Sequence, residues 1–179
     1  MNQRDANATL RDWDGRGRHV FTRRQLARLF RDDTPEAFAA GLDRLVGAGL
    51  LVRACRGVYV NPHAQSLDSR VVERIAQALR PGAYNYVSLE SRLSETGAIS
   101  QIPLDRLTVM TTGRKGTYRT PYGVIEFTHT KRPIADVLAH IRQEDVRPLR
   151  VASAAAAWRD LKRVGRNLAL VDPEAIADG

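Results

Sequence analysis

Between Phe21 and Pro62 the chain sets two helix starts in quick succession and then a turn between two β-prone runs, an order that few folds satisfy. Thr22 precedes RRQLARLF with Gln25 three residues on. That is the spacing of a capping box, in which hydroxyl and amide satisfy each other's backbone donors. Phe21, just ahead of the cap, is placed to staple back onto Leu26. Leu26, Leu29 and Phe30 make one apolar stripe, and Arg23, Arg24, Arg28 and Arg31 take the wet side. After the acidic break Asp32-Asp33, Thr34 is a good N-cap, Pro35 suits the first helical position, and Glu36 complements the positive helix end. Phe38, Leu42, Leu45 and Val46 recur at helical spacing as far as Gly47-Ala48-Gly49. LLVRAC, Arg56-Gly57 and VYV then read as an antiparallel hairpin that ends at Asn61-Pro62.

Two short helices joined by a tight turn and followed by a basic hairpin form the winged helix-turn-helix pattern. Its second helix is the element that enters a major groove. With Phe38, Leu42 and Leu45 inward, its outer face carries Glu36, Ala37, Ala40, Asp43, Arg44 and Gly47. Arg44 suits a guanine edge and the alanines suit thymine methyls, whereas the two acids oppose phosphates. Arg53 and Arg56 fall near the tip of the wing. The arginines of the first helix and the wing are candidate backbone clamps. A solvated helix face is the competing reading of Arg23, Arg24 and Arg28, and winged helices also dock proteins without touching DNA.

On either side of this module the signals are weaker. Residues 5–13 (DANATLRDW) fit a short helix with Ala8, Leu10 and Trp13 as apolar positions. A helix from Asp68 to Leu79, stopped by Pro81-Gly82, places the domain boundary near residue 80, giving a DNA-binding domain over 1–80 and a second domain over 83–179. In the second half, a strand from Tyr84 leads to a helix capped by Ser88 and ended by Gly97. LTVMTT, TYRT and VIEFTHT, separated by short turns, predict an antiparallel meander. Helices at about 134–142 and 152–163 close the chain. The expected fold class is α+β: a winged helix, then a small domain with an antiparallel sheet flanked by helices.

Charge narrows the partners. Across 179 residues, 28 Lys and Arg stand against 20 Asp and Glu, and nearly all the cations are arginine, the better fork for phosphates and guanine edges. Cys55 is the only cysteine, which excludes an internal disulfide and a cysteine-based zinc cluster. The four histidines show no metal-ligand spacing, and Ser88, Ser91 and Ser94 sit in no nucleophile motif. His129 and Cys55 read as structural residues of strands. No apolar run reaches membrane-spanning length, and the first residues lack the apolar core of a signal peptide. The expectation is a cytoplasmic, non-enzymatic protein with no membrane contact, no cofactor and no metal.

RGVYVNP at the end of the winged helix, then YVSLESRLSETGAI, LTVMTTGRKGTYRTPYGVIEFTHTKR and VASAAAAWRDL, occur in an order that resembles the AbiEi-type antitoxins of abortive-infection, type IV toxin–antitoxin systems. The likeness runs from about residue 20 to about residue 160. Fuller members extend further at the C-terminus, so the chain resembles a short form, and a stand-alone regulator is the other expectation. The resemblance implies a winged helix that represses its own operon by binding an inverted-repeat operator, with two copies on the DNA. It also implies a C-terminal domain that opposes a nucleotidyltransferase-like toxin. The DNA-contacting positions would be Arg23, Arg24, Arg28, Thr34, Arg44, Arg53 and Arg56.

Overall fold

A computed structural model describes residues 2–100 and 105–177 and divides the chain into two compact units, Met1–Leu79 and Arg80–Gly179. In the first unit the order is α1 (Gln3–Gly15), β1 (Val20–Thr22), α2 (Arg23–Leu29), α3 (Pro35–Gly47), β2 (Val52–Cys55), β3 (Val58–Val60) and α4 (Val71–Leu79). This is the winged-helix order. The capping box forms as its spacing predicts: Gln25 N–H donates to the Thr22 hydroxyl at 3.1 Å, and Thr22 N–H donates to the Gln25 amide oxygen at 2.8 Å. At α3, Ala37 N–H donates to the Thr34 hydroxyl at 3.2 Å.

α1 is longer than the expected 5–13, and its inward positions are Ala6 and Leu10, one helical turn apart; Ala8, taken as apolar stripe, is exposed. β1 is an element that the sequence reading did not contain. It pairs antiparallel with β3, which also pairs with β2, so the strand order is β1-β3-β2. Phe21 and Arg53 both lie opposite Tyr59 and therefore share its face of the sheet. Phe21 and Tyr59 join Ala6, Leu10, Leu26, Phe38, Leu42, Leu45 and Leu51 in one core, which pins α1, α2 and α3 on that side. Val20 and Val60 point the other way, where α4 packs on β1 and β3.

His19, just before β1, is fully buried; its Nδ1 lies 3.0 Å from the Ser66 hydroxyl, and its Nε2 has no partner among the described residues. Burial first, and then the Arg74 guanidinium, hold its pKa below the ordinary histidine value. Above the unfolded pKa of about 6.5 neither state carries the extra proton, and below it the unfolded chain takes up a proton that the folded chain refuses. The melting temperature of the first unit should therefore fall between pH 7 and pH 5, and H19Q should flatten that slope. An equal slope in H19Q would assign the acid sensitivity to other groups.

The second unit contains β4 (Asn85–Val87), α5 (Leu89–Glu95), β5 (Arg106–Thr111), β6 (Gly116–Thr120), β7 (Gly123–His129), α6 (Ile134–Ala139), β8 (Ile141–Arg142), β9 (Arg150–Ala152) and α7 (Ala154–Val164). A 3₁₀ turn (Leu168–Leu170) and α8 (Glu174–Ala177) follow. The α+β class holds, but the sheet is mixed where an antiparallel meander was expected. Its order among the described residues is β6-β7-β5-β4-β9-β8, with β5–β7 and β4–β9 parallel and the other pairs antiparallel. Burial explains the correction. β7, with Val124, Ile125 and Phe127 buried, takes an inner place, and β6, with Thr117 and Arg119 exposed, becomes the edge. The helix expected at 134–142 stops at Ala139, because Ile141 and Arg142 pair with β9. α5 and α7 cover the sheet over Tyr86 and Met110, in a core with Leu89, Leu93, Ala157 and Leu161. Ser88 stands at the N-cap of α5 but makes no cap bond; its hydroxyl donates instead to buried Asp160 at 2.9 Å.

Candidate nucleic-acid interface

The second helix of the module, α3, turns Phe38, Gly41, Leu42 and Leu45 inward, which leaves Glu36, Ala37, Ala40, Asp43, Arg44 and Gly47 exposed. Nothing within the first unit buries that face. At its start the Thr34 hydroxyl accepts from Ala37 N–H, so its own proton is left to donate outward. Pro35 has no N–H and that of Ala37 is capped by Thr34, so it is the positive dipole end of the helix that favours a phosphate there. Glu36 sits in the same turn and works against it.

Arg23 is the residue that ties this region together. Its N–H, the first of α2, donates to the Gly57 carbonyl in the wing turn at 2.8 Å. Its guanidinium lies 5.3 Å from the centre of the Phe38 ring in the first turns of α3. One residue thus brings the start of α2, the wing turn and the start of α3 to a single corner, with Arg24 next to Arg23 in the chain and Arg56 next to Gly57. The wing is short: two residues, Arg56 and Gly57, join β2 to β3, and Gly57 takes a φ of +79°, a conformation that glycine adopts without strain. Cys55 beside it is half-buried, and burial pushes its thiol pKa up, away from nucleophilic chemistry.

The other candidates lie at stated distances from this corner. Arg28 is exposed in the last turn of α2. Arg44 is exposed six residues beyond Phe38, roughly 9 Å further along α3 at the rise of a helix. Arg53, exposed on edge strand β2, shares the sheet face on which the three helices pack. All seven sequence candidates are exposed side chains, and the Arg23–Gly57 bond and Arg23–Phe38 stack bring the chain at Arg23, at Arg56-Gly57 and at the start of α3 together. Two further cations escaped the sequence reading. Arg16 and Arg18 both stack on the Trp13 ring, at 5.1 and 5.4 Å from its centre, at the end of α1. Two arginines three and five residues past a tryptophan at a helix end are the signal that marks them.

The positive charge is not confined to this unit. Met1–Leu79 holds 13 arginines against nine acids and the second unit 15 cations against 11 acids, a surplus of four in each. Among the described residues no group of histidine, cysteine and carboxylate side chains is arranged to hold a metal ion, and no helix is long and apolar enough to cross a membrane.

Residues 9–62, from inside α1 to just past the wing, match the family model described as a transcriptional regulator, AbiEi antitoxin. No curated protein matches the chain. Among solved structures, the RV2827C protein from Mycobacterium tuberculosis superposes with a TM-score of 0.58 at 16% identity, over 97% of this chain and 69% of that one. At that identity the likeness speaks for the fold alone, and it spans both units. Over residues 9–62, a winged-helix segment, the chain is similar to the transcriptional regulators of the AbiEi antitoxin family.

Proposed function

We propose that the chain represses its own operon by binding an inverted-repeat operator as two copies, and that it is the antitoxin to a nucleotidyltransferase-like toxin encoded beside it. One observation supports this most: an α3 face that nothing in the first unit buries lies next to a corner where the chain at Arg23-Arg24 meets the chain at Arg56-Gly57, within the segment similar to the regulator family. In this reading the corner arginines and Arg28 grip backbone phosphates, Thr34 donates to a phosphate at the start of α3, and Arg53 adds a clamp from the edge strand. Arg44 reads a base edge. The second unit opposes the toxin, and the work is done in the cytoplasm without catalysis or cofactor. A gel shift with the duplex upstream of the gene tests it. A shift that survives random competitor DNA is expected, and no shift at moderate salt defeats the reading.

Arg44→Ala separates reading from gripping. It should narrow the affinity gap between operator and random duplex by about 1–3 kcal/mol and leave random-duplex binding nearly unchanged. Competition binding with both duplexes checks this, and an unchanged gap would place another residue in the groove.

The acids on α3 favour a second reading. Glu36 and Asp43 stand on the exposed face and would repel phosphates, as a surface built to dock a protein would. Co-purification with the product of the neighbouring gene, together with absent DNA binding, would select that reading. Shift of the operator duplex selects the first.

A further inference from the structure

The second unit holds a basic cavity for which the DNA-binding reading has no use. It has a volume of about 720 Å³, and its lining includes His129, Lys131, Arg132, Asp136, Arg159 and Arg163, drawn from the end of β7, the start of α6 and the outer half of α7. Four of these side chains carry a permanent positive charge, against the one carboxylate of Asp136. Such a concentration on one concave face raises the local positive potential and draws anions to it.

Arg132 makes this a built site. Its side chain is only 8% exposed, and its guanidinium is held 3.3 Å from Asp160 and 3.4 Å from Asp136. Asp160 is itself buried and accepts from the Ser88 hydroxyl at 2.9 Å and the Tyr86 hydroxyl at 3.3 Å. The guanidinium is therefore fixed before any ligand arrives, as recognition of an anion requires. Even so, Nε of Arg132 and Nε of Arg159 are both buried and without a hydrogen-bond acceptor among the described residues. Lys131, Arg159 and Arg163 have no ion-pair partner among those residues either. Both Nε atoms lie beneath the cavity surface, out of a ligand's reach, so what calls for an anion is the set of cationic side chains that line the cavity and have no carboxylate partner.

Charge and size narrow what that acceptor is. With Asp136 and Asp160 counted against the four cations, the cavity keeps a surplus of two positive charges. A phosphomonoester is close to a dianion at neutral pH, while each phosphate of a nucleic-acid backbone carries a single charge. The volume lies within the range of about 300–1,000 Å³ of small-molecule sites. We propose that this cavity binds the phosphate group of a small phosphomonoester of nucleotide size. Lys131, Arg159 and Arg163 are the donors, and Arg132, held by Asp136 and Asp160, adds its charge from beneath. The proposal is independent of DNA binding by the first unit.

Calorimetric titration of the full chain with adenosine 5′-monophosphate, inorganic phosphate, adenosine and a random DNA duplex tests it. The monophosphate should bind with a Kd of about 1 mM or below, inorganic phosphate more weakly, and adenosine not at all. R159Q and R163Q should each weaken the monophosphate about tenfold while leaving the melting curve of the unliganded chain unchanged. These positions are used because R132Q strips the buried Asp160 of its partner and can unfold the unit. Absence of binding by both monophosphate and phosphate overturns the proposal. So does equal binding of adenosine and its monophosphate, or wild-type affinity in both variants. Displacement of the monophosphate by random duplex would make the cavity a nucleic-acid contact and overturn it as well.

Discussion

Reversing Arg23 and Arg24 together to glutamate should weaken binding to operator and random duplex alike, by about a hundredfold or more at moderate salt. Both side chains are exposed at the start of α2, beside the wing turn that accepts the Arg23 N–H. Removing two phosphate clamps and installing two repulsive charges acts on the sequence-independent part of the affinity, so selectivity between duplexes should survive. The dependence of log K on log salt should shallow by about 2, because fewer counterions are released. The exposed fold should tolerate the change: surface substitutions of this kind stay within about 0.5 kcal/mol. The Arg23 stack on Phe38 adds a term of about 0.5–1 kcal/mol at an exposed site. Fluorescence anisotropy across a salt series, with a melting curve as control, measures all three. Loss of operator binding with random-duplex binding intact would move these arginines from the backbone to the bases.

The largest effect on stability is expected from Phe21→Ala. Phe21 is 1% exposed and sits opposite Tyr59, where β1 and β3 meet the cores of α1, α2 and α3. Truncating a buried phenylalanine costs about 3–5 kcal/mol through lost transfer energy and the cavity left behind. For a unit of 79 residues, whose whole stability is of the order of 5–10 kcal/mol, that is most of the margin. Denaturant unfolding followed by far-UV circular dichroism should show the transition of the first unit moved to much lower denaturant, with operator binding lost at 37 °C. An unchanged midpoint would contradict the packing described for β1.

What the sequence revealed and what it hid divide along physical lines. The Thr22–Gln25 box, the Thr34-Pro35 start and the Phe38-Leu42-Leu45 stripe depend on spacings of three or four residues, so they are written locally and were legible. β1 was not. Val20-Phe21-Thr22 is too short to show a period of two, and its strand character comes from pairing with Val58–Val60, far along the chain. The same holds for the sheet of the second unit, where the inner place of β7 is decided by burial in three dimensions. α1 was found with Leu10 and Trp13 rightly on its inner side, but Ala8 was taken for the place that Ala6 holds, which is set by the neighbours it meets.

The candidate site was legible as a list of exposed arginines, because a polar helix face and a hairpin turn are readable patterns. Its geometry was not. The Arg23–Gly57 bond and the Arg23–Phe38 stack join residues 34 and 15 positions apart, and no local spacing announces them. The basic cavity of the second unit was invisible for the same reason. Arg132 follows VIEFTHT and Arg159 lies 27 residues on, in the closing helix, and no local spacing joins them. Only the fold sets them around one space.

Entry of α3 into a major groove between phosphate clamps is read most directly by protection of guanine N7 from dimethyl sulfate in the complex with the upstream duplex. N7 atoms face the major groove, so two protected patches on one face of the duplex are expected, with centres about 10 base pairs or a multiple apart. A retarded complex with every guanine N7 still reactive would show that the protein holds the DNA without inserting this helix, and would contradict the account.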